Sequence, residues 1–568
     1  MRAVAAGCSA KLAAVNLDPR GTRSGRRVLL RVLLLLSPLL LLLCAEVAVR
    51  VFVPRDEQSD PFLRLSGSSS KFGEVTVEGV RYYRVEHADM YAQNNVHFRV
   101  EKESGTLRVF CLGGSACAGW PHGPDHIWSR DLAEALRAAW PDRKVEVLNV
   151  GAHGWPSYRV RPVFDDVVRF QPDLMILWCG NNEFVERRSY ATSASAQKLV
   201  RGVAKVSRLF ELLLGAVVGG GQTTLPEQNR EAAGFIFSQF EQQALELRTD
   251  PVQFAGVVDH YEYTVGAMMD AAREHHVPLI VLTVPSNLRD WHPNVSRNAA
   301  TGDALTQWRA AFDRGSRELL DSAAPAAVES FAAARRSDPR HAETAFLSGR
   351  ALEAAGRCEE ARAEYRTAKD EDLTPFRALS VLNDRLRTLA TRHPEVILVD
   401  MEHDILAAAK SCAPGFDLFL DYVHPTRAGG LVVARRVFDE IVARDLFRAA
   451  PATRDFAHVD DGYDDRKDLG VQLHVLYLLY NMHQEEAYRD AADAMIGLLL
   501  ATGADPQKDP LVQLLTEGRD GIAGHLALRA RALHGESVPA DFEKQHQDWY
   551  RAHFARIQEV VAKARAGR

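Results

Sequence analysis

From residue 107 onward, short apolar runs alternate with stretches whose apolar residues repeat at helical spacing. The runs at 107–112, 145–150, 174–178, 278–282 and 396–399 are the pattern of strands covered on both faces. Between them the spacing predicts helices near 126–140, 158–170 and 256–276, with a closing helix at 431–447. Strand alternating with helix predicts a parallel α/β sheet in three layers, whose ligands gather at the carboxyl ends of the strands. Ahead of it, residues 54–105 read as a polar linker with one or two short strands, and residues 450–568 read as helical.

The fourth and fifth runs are more than a hundred residues apart, too far for a loop in a compact domain, which predicts an insertion. Offset by 34 residues, the insertion aligns with itself: Gly315 with Gly349, Ala327 with Ala361, Phe331 with Tyr365, Ala334 with Ala368. Small residues recur where helices cross closely and aromatic ones where they fill the gap. A period of 34, with the turn-like segment 356–361, resembles the tetratricopeptide repeat. Two copies are few for a free-standing array, so the insert is expected to lean on the core or on the C-terminal helices.

Charge changes the picture at the N-terminus. The chain of 568 residues carries 69 Lys and Arg against 75 Asp and Glu, a net charge of −6. Its first 31 residues hold seven basic residues and one acidic one, leaving 62 against 74 beyond them, a balance of −12. A basic nucleic-acid surface is therefore not expected. The basic stub precedes the apolar stretch 28–53, whose uncharged core spans 32–45, with Arg31 and Arg50 placed to snorkel toward opposite interfaces. This predicts a single-pass signal anchor in the lipid bilayer, the N-terminus cytoplasmic and everything after about residue 54 extracytoplasmic. The seven cysteines do not form a disulfide scaffold or a zinc pattern, and their pairing is open; no metal or cofactor is expected.

Polar chemistry sits at the predicted strand ends. The first strand runs into Gly113-Gly114-Ser115, a serine on a tight turn at a helix start, where its hydroxyl can act as a nucleophile. The second ends near Gly151 and the third near Asn182, whose backbone and side-chain N–H groups, with the Ser115 N–H, can form a three-donor oxyanion hole. Beyond the fifth strand, Asp421 lies three residues before His424, which Pro425 follows; such an acid can orient the imidazole as a base. His153, Trp155, Asn287 and Arg289, on neighbouring loops, are candidates for substrate contact, while His122, His126 and His153 lack the acid-and-proline context of His424.

Taken in order, Gly113-Gly114-Ser115, Gly151, Gly180-Asn181-Asn182-Glu183 and Asp421-Tyr422-Val423-His424-Pro425 resemble the four motifs of the SGNH (GDSL-like) hydrolases. Gly114 replaces the family's aspartate, and Glu183 stands where aspartate is usual. The resemblance implies a flavodoxin-like α/β domain, Ser115 as nucleophile, His424 as base, Asp421 as its orienting acid, and Ser115, Gly151 and Asn182 as oxyanion donors. The expected domains are a cytoplasmic stub (1–27), the anchor (28–53), a linker (54–105), the hydrolase domain in two parts (106–300 and 374–449), a tetratricopeptide-like insert (301–373) and a C-terminal helical region (450–568). The expected activity is hydrolysis of an O-acyl ester on a small molecule or an envelope glycan through an acyl-serine. An acyltransferase using the same acyl-enzyme is the alternative. A non-catalytic assembly scaffold is the reading from another class, in which the insert recruits a protein partner.

Overall fold

The computed structural model describes residues 37, 42–51, 72–85, 96–185, 207, 209, 242–457, 462–482 and 484–566. The chain divides into two compact units, residues 1–67 with 197–224 and residues 68–196 with 225–568. In the first unit residues 42–51 are helical, with Leu42, Leu43, Val47 and Val51 exposed. The Glu46 carboxylate pairs with Arg50 at 2.7 Å and accepts from Ser207 Oγ and the Leu209 N–H at 2.9 Å each. No helix among the described residues is long and apolar enough to cross a membrane. The cytoplasmic stub and most of the span expected at 28–53 lie outside them.

The second unit opens with an antiparallel sheet, β1 (Phe72–Val77), β2 (Val80–Val85) and β3 (His97–Arg99). It continues into five parallel strands: β4 (Thr106–Gly113), β5 (Lys144–Asn149), β6 (Leu174–Trp178), β7 (Leu279–Leu282) and β8 (Ile397–Val399). Their order is β5-β4-β6-β7-β8. The pleat divides β4 cleanly: Phe110 and Leu112 face one core, Leu107, Val109 and Cys111 the other.

Helices cover both faces. On one side lie α1 (Ser115–Ala118) and α2 (Trp128–Ala139), and on the other α3 (Ser157–Val167) and α4 (Pro251–Glu274). Arg108 is buried in β4 and donates to Glu146, to the Phe170 carbonyl and to the Arg99 carbonyl, tying the antiparallel sheet to the parallel one.

The long gap before β8 holds two helical hairpins, α5 (Gly302–Leu320) with α6 (Ala324–Ser337), then α7 (Ala342–Ala354) with α8 (Cys358–Glu371). The residues aligned at an offset of 34 take equivalent places. A Cβ on Gly315 would lie 3.1 Å from the Phe331 ring, and one on Gly349 would lie 2.7 Å from Tyr365. Ala327, Ala361, Phe331 and Tyr365 are all fully buried. A disulfide from Cys358 at the start of α8 to Cys412 fastens the insert to the core. Closing a loop of 54 residues stabilises by about 4 kcal/mol on a chain-entropy estimate.

The core resumes with α9 (Ser380–Arg392), α10 (Met401–Ala408) and α11 (Arg427–Ala443). Four further helices follow: α12 (Leu469–Asn481), α13 (Glu485–Ala501), α14 (Pro510–Leu533) and α15 (Phe542–Ala566). Arg317 on α5 donates to the Leu533 carbonyl at 2.7 Å, so the insert meets these helices directly. Val471, Val475, Leu478 and Leu479 of α12 pack with Trp291, Phe376 and Leu420 of the core, which carries α12 to the sheet's carboxyl edge.

Candidate active site

Ser115 begins α1 directly after β4, so its N–H is one of the donors a helix start leaves without an intrahelical partner. Gly114 has no side chain for a steric reason: a Cβ there would lie 2.8 Å from Asn182 Nδ2. The missing atom lets the amide of Asn182 sit against the serine turn.

His424 arrives from the far end of the sheet on a tight loop. The Leu420 N–H donates to the His424 carbonyl and the Thr426 N–H to the Leu418 carbonyl, after which Thr426 Oγ1 caps α11 by accepting from the Gly429 N–H. The Ser115 hydroxyl lies 2.7 Å from His424 Nε2, and His424 Nδ1 lies 2.6 Å from Asp421 Oδ2. The other Asp421 oxygen accepts the Val423 and His424 N–H groups at 2.9 Å each. Asp421 is fully buried. Burial alone would raise its carboxyl, but the charge and hydrogen bond of His424, the neighbouring His474 and the His424 backbone N–H hold it below the ordinary carboxylate range. With the acid charged, Nδ1 of His424 carries a proton and Nε2 is left to accept one from Ser115.

Of the expected oxyanion donors, Asn182 Nδ2 donates to the Trp155 carbonyl at 3.2 Å, and the Gly151 N–H donates to Asn149 Oδ1 at 3.0 Å. Asn149 also donates to the Cys117 carbonyl and to Ser129 Oγ, joining the β5 turn to the serine helix. Glu183 is fully buried and accepts both the N–H and the hydroxyl of Ser157 at the start of α3, where a carboxylate favours the helix dipole. It pins the loop that carries Asn182.

The four residues expected to touch substrate fall in two places. His153 packs against Trp120, with ring centroids 4.1 Å apart, and Trp155 lies beside Asn182, both at the serine's turn. Burial lowers the His153 imidazole to about 4, with the charge of His424 acting in the same direction. Asn287 instead sits behind the acid loop. It is fully buried, its Nδ2 donates to the Asp421 carbonyl, its Oδ1 accepts from the Asp290 N–H, and its own N–H donates to the Tyr422 carbonyl. It holds the acid in place. Arg289 pairs with Asp290 and with Glu353 on α7, so it joins the core to the insert. Of the other histidines, His122 lies 3.0 Å from the Pro425 carbonyl and 3.2 Å from Tyr463 Oη, while His126 stacks on Tyr463.

Trp120 and His474 are not singled out by the sequence pattern. Trp120 Nε1 donates to His474 Nε2 at 2.7 Å, and the same nitrogen of His474 lies 3.9 Å from Asp421 Oδ2. His474 comes from α12, and the only sequence signal for it is a histidine set among the apolar positions Val471, Val475 and Leu478.

Among the described residues, two groups have ligand atoms close enough for a metal ion: Asp421, His424 and His474, and Glu485, His525 and His546. In the first, His424 Nδ1 faces Asp421 and His474 Nε2 accepts from Trp120, so neither lone pair is open. In the second, Arg529 holds Glu485 at 3.0 Å and the histidine rings stack in parallel at 3.6 Å, which aims their lone pairs side by side rather than at a common point.

Residues 111–341 match the family model described as GDSL-like Lipase/Acylhydrolase. No curated protein shows a significant match to the chain. The matched segment holds Ser115, Gly151 and Asn182 and ends before Asp421 and His424, which the fold brings to them. It supports the SGNH hydrolase resemblance of this segment, and with it an activity of the acylhydrolase or acyl-transfer type.

Proposed function

We propose that the protein is a membrane-anchored serine esterase that cleaves an O-acyl ester, on a small molecule or an envelope carbohydrate, through an acyl-serine intermediate. The observation that carries this reading is the continuous chain from Ser115 Oγ through His424 to Asp421, with contacts of 2.7 and 2.6 Å. His424 Nε2 takes the Ser115 proton as the oxygen attacks the ester carbonyl, and Asp421 stabilises the imidazolium that forms. The Ser115 N–H, Asn182 Nδ2 and the Gly151 N–H are the donors for the developing oxyanion, each worth roughly 3 to 4 kcal/mol in the transition state. For that, Gly151 must exchange its bond to Asn149 for one to substrate, and Asn182 its bond to the Trp155 carbonyl. His424 then returns its proton to the leaving alcohol, and water resolves the acyl-serine.

A second reading is favoured by burial. Ser115 is only 9% exposed and α12 lies against its base and acid, which disfavours water and suits transfer of the acyl group to a sugar hydroxyl. The extracytoplasmic setting draws support from the basic N-terminal stub and from the Cys358–Cys412 disulfide, a bond that persists in oxidising compartments. The paired hairpins suit a tetratricopeptide-like surface for a protein partner.

The test is 4-nitrophenyl acetate cleavage by the full chain in detergent, with Ser115→Ala and His424→Ala beside it. Both substitutions should abolish turnover, and activity surviving them would remove the assignment. Adding an acylated glycan and measuring free acid against transferred acyl group separates hydrolase from transferase.

A further inference from the structure

The residues that carry the family resemblance end with His424 and Pro425, yet a residue 50 positions later reaches the acid of the site. Three contacts define its place. The Trp120 indole N–H donates to His474 Nε2 at 2.7 Å. That nitrogen is 3.9 Å from Asp421 Oδ2, the oxygen bonded to His424. The rings of His474 and His424 stand edge to face with centroids 6.0 Å apart.

We propose that His474, hydrogen-bonded by Trp120, is a positioning residue for the Asp421–His424 pair, which makes the C-terminal helices a working part of the active site. This rests on the serine-esterase reading above. The reason lies in what a histidine beside a catalytic carboxylate would otherwise do. A second imidazole with a proton on the nitrogen facing Asp421 would compete with His424 for Oδ2 and weaken the bond that orients the base. Trp120 prevents this by filling that nitrogen's lone pair with its own N–H, which fixes the His474 proton on Nδ1. Burial supports the arrangement by lowering the His474 imidazole to about 3. Asp421 opposes that shift, while His424, His153 and His122 reinforce it. The acid is then wrapped by its two backbone donors, by Asn287 at its own carbonyl and by a neutral ring, with His424 as its side-chain hydrogen-bond donor. Trp120 follows the α1 turn, so the same hydrogen bond joins α12 to the serine's own loop.

The experiment follows the second-order rate at which a fluorophosphonate labels Ser115 in the full chain. This reaction needs the activated serine and does not depend on the natural acyl group. His474→Phe keeps the ring but removes the acceptor, whereas His474→Gln offers a carbonyl oxygen to the Trp120 N–H. Labelling should fall about tenfold in His474→Phe, which loses the tie between α12 and the serine's loop, at least as much in Trp120→Phe, which also frees His474 Nε2 to compete for Asp421 Oδ2, and in the double variant no further than in Trp120→Phe, because both changes break one shared contact. His474→Gln should recover to within about threefold of the unmodified protein on the same coupling scale. Unchanged labelling in His474→Phe, a loss in His474→Gln equal to that in His474→Phe, or multiplicative losses in the double variant would each overturn the positioning role. Labelling of the unmodified chain that Ser115→Ala does not remove would instead overturn the esterase reading, and the role of His474 with it.

Discussion

Two groups of buried histidines and a carboxylate lie in the second unit, and they use the same side chains to opposite ends. Around Asp421, two backbone N–H groups hold one oxygen, His424 holds the other, and the far nitrogen of His424 ends on a hydroxyl. Around Glu485, Arg529 holds one oxygen at 3.0 Å, while His546 lies 3.2 Å from the other and stacks on His525. Arg529 also binds Glu543, so the second cluster is a closed set of ion pairs between α13, α14 and α15. A guanidinium cancels a carboxylate's charge permanently and leaves nothing to transmit. An imidazole takes the same charge on one nitrogen and presents a base with the other. Similar composition therefore yields a brace in one place and a candidate proton relay in the other.

The sharpest way to break this contrast is by substitution. Ser115→Ala and His424→Ala should each lower kcat for ester cleavage by at least about 10⁴-fold, whereas His546→Phe should leave it within about twofold. A comparable loss in His546→Phe, measured in the same assay, would erase the distinction. Next in size, Asp421→Asn should cost roughly 10³ to 10⁴ in kcat by losing the charge that fixes the His424 tautomer. Asn182→Ala should cost roughly 10² to 10³ by removing an oxyanion donor. The brace answers in stability: Glu485→Ala leaves His546 without its carboxylate and Arg529 with Glu543 alone, and should lower the unfolding free energy by about 1 to 3 kcal/mol, read as a fall in Tm.

The smallest effect is one of pH. Burial lowers the imidazole of His153 to about 4 and shifts that of His525 in the same direction, so folding favours the neutral form of both. Unfolded, they take protons near pH 6.5, so between that pH and their folded values the unfolded state binds more protons. Stability is therefore unaffected by them above about 6.5 and declines as pH falls below it, for His153 down to about 4 by at most about 1.4 kcal/mol per pH unit, with His525 acting in the same direction. Tm measured from pH 7.5 to 5.0 should decline, and His525→Phe should flatten that decline slightly. An unchanged slope would place the His525 imidazole at its ordinary value.

The parallel sheet was legible because its strands are buried on both faces and so read as apolar runs. The 174–178 run coincides with β6, and the other four differ from their strands by one residue at one or both ends. Ser115, Asp421 and His424 were legible because each needs a particular turn chemistry in its own short segment. What escaped is set by closure between distant segments. Trp120 and His474 are 354 residues apart, and neither carries a local mark of the other. Asn287 lay on a loop that sequence could assign to the pocket rim, but its amide turns to the back of the acid loop, a choice made by the packing of Asp421 and Asp290 around it. The Cys358–Cys412 pair was open for the same reason, since it depends on where α8 meets the loop after α10.

Ser115 and His424 are 309 residues apart. At about 5 to 20 residues per second, a ribosome needs roughly 15 to 60 s to go from one to the other, and longer to reach α12. Through that interval the nascent chain holds Ser115 without His424. On the proposed esterase reading, chemical silence during synthesis is thus written into the order of the sequence.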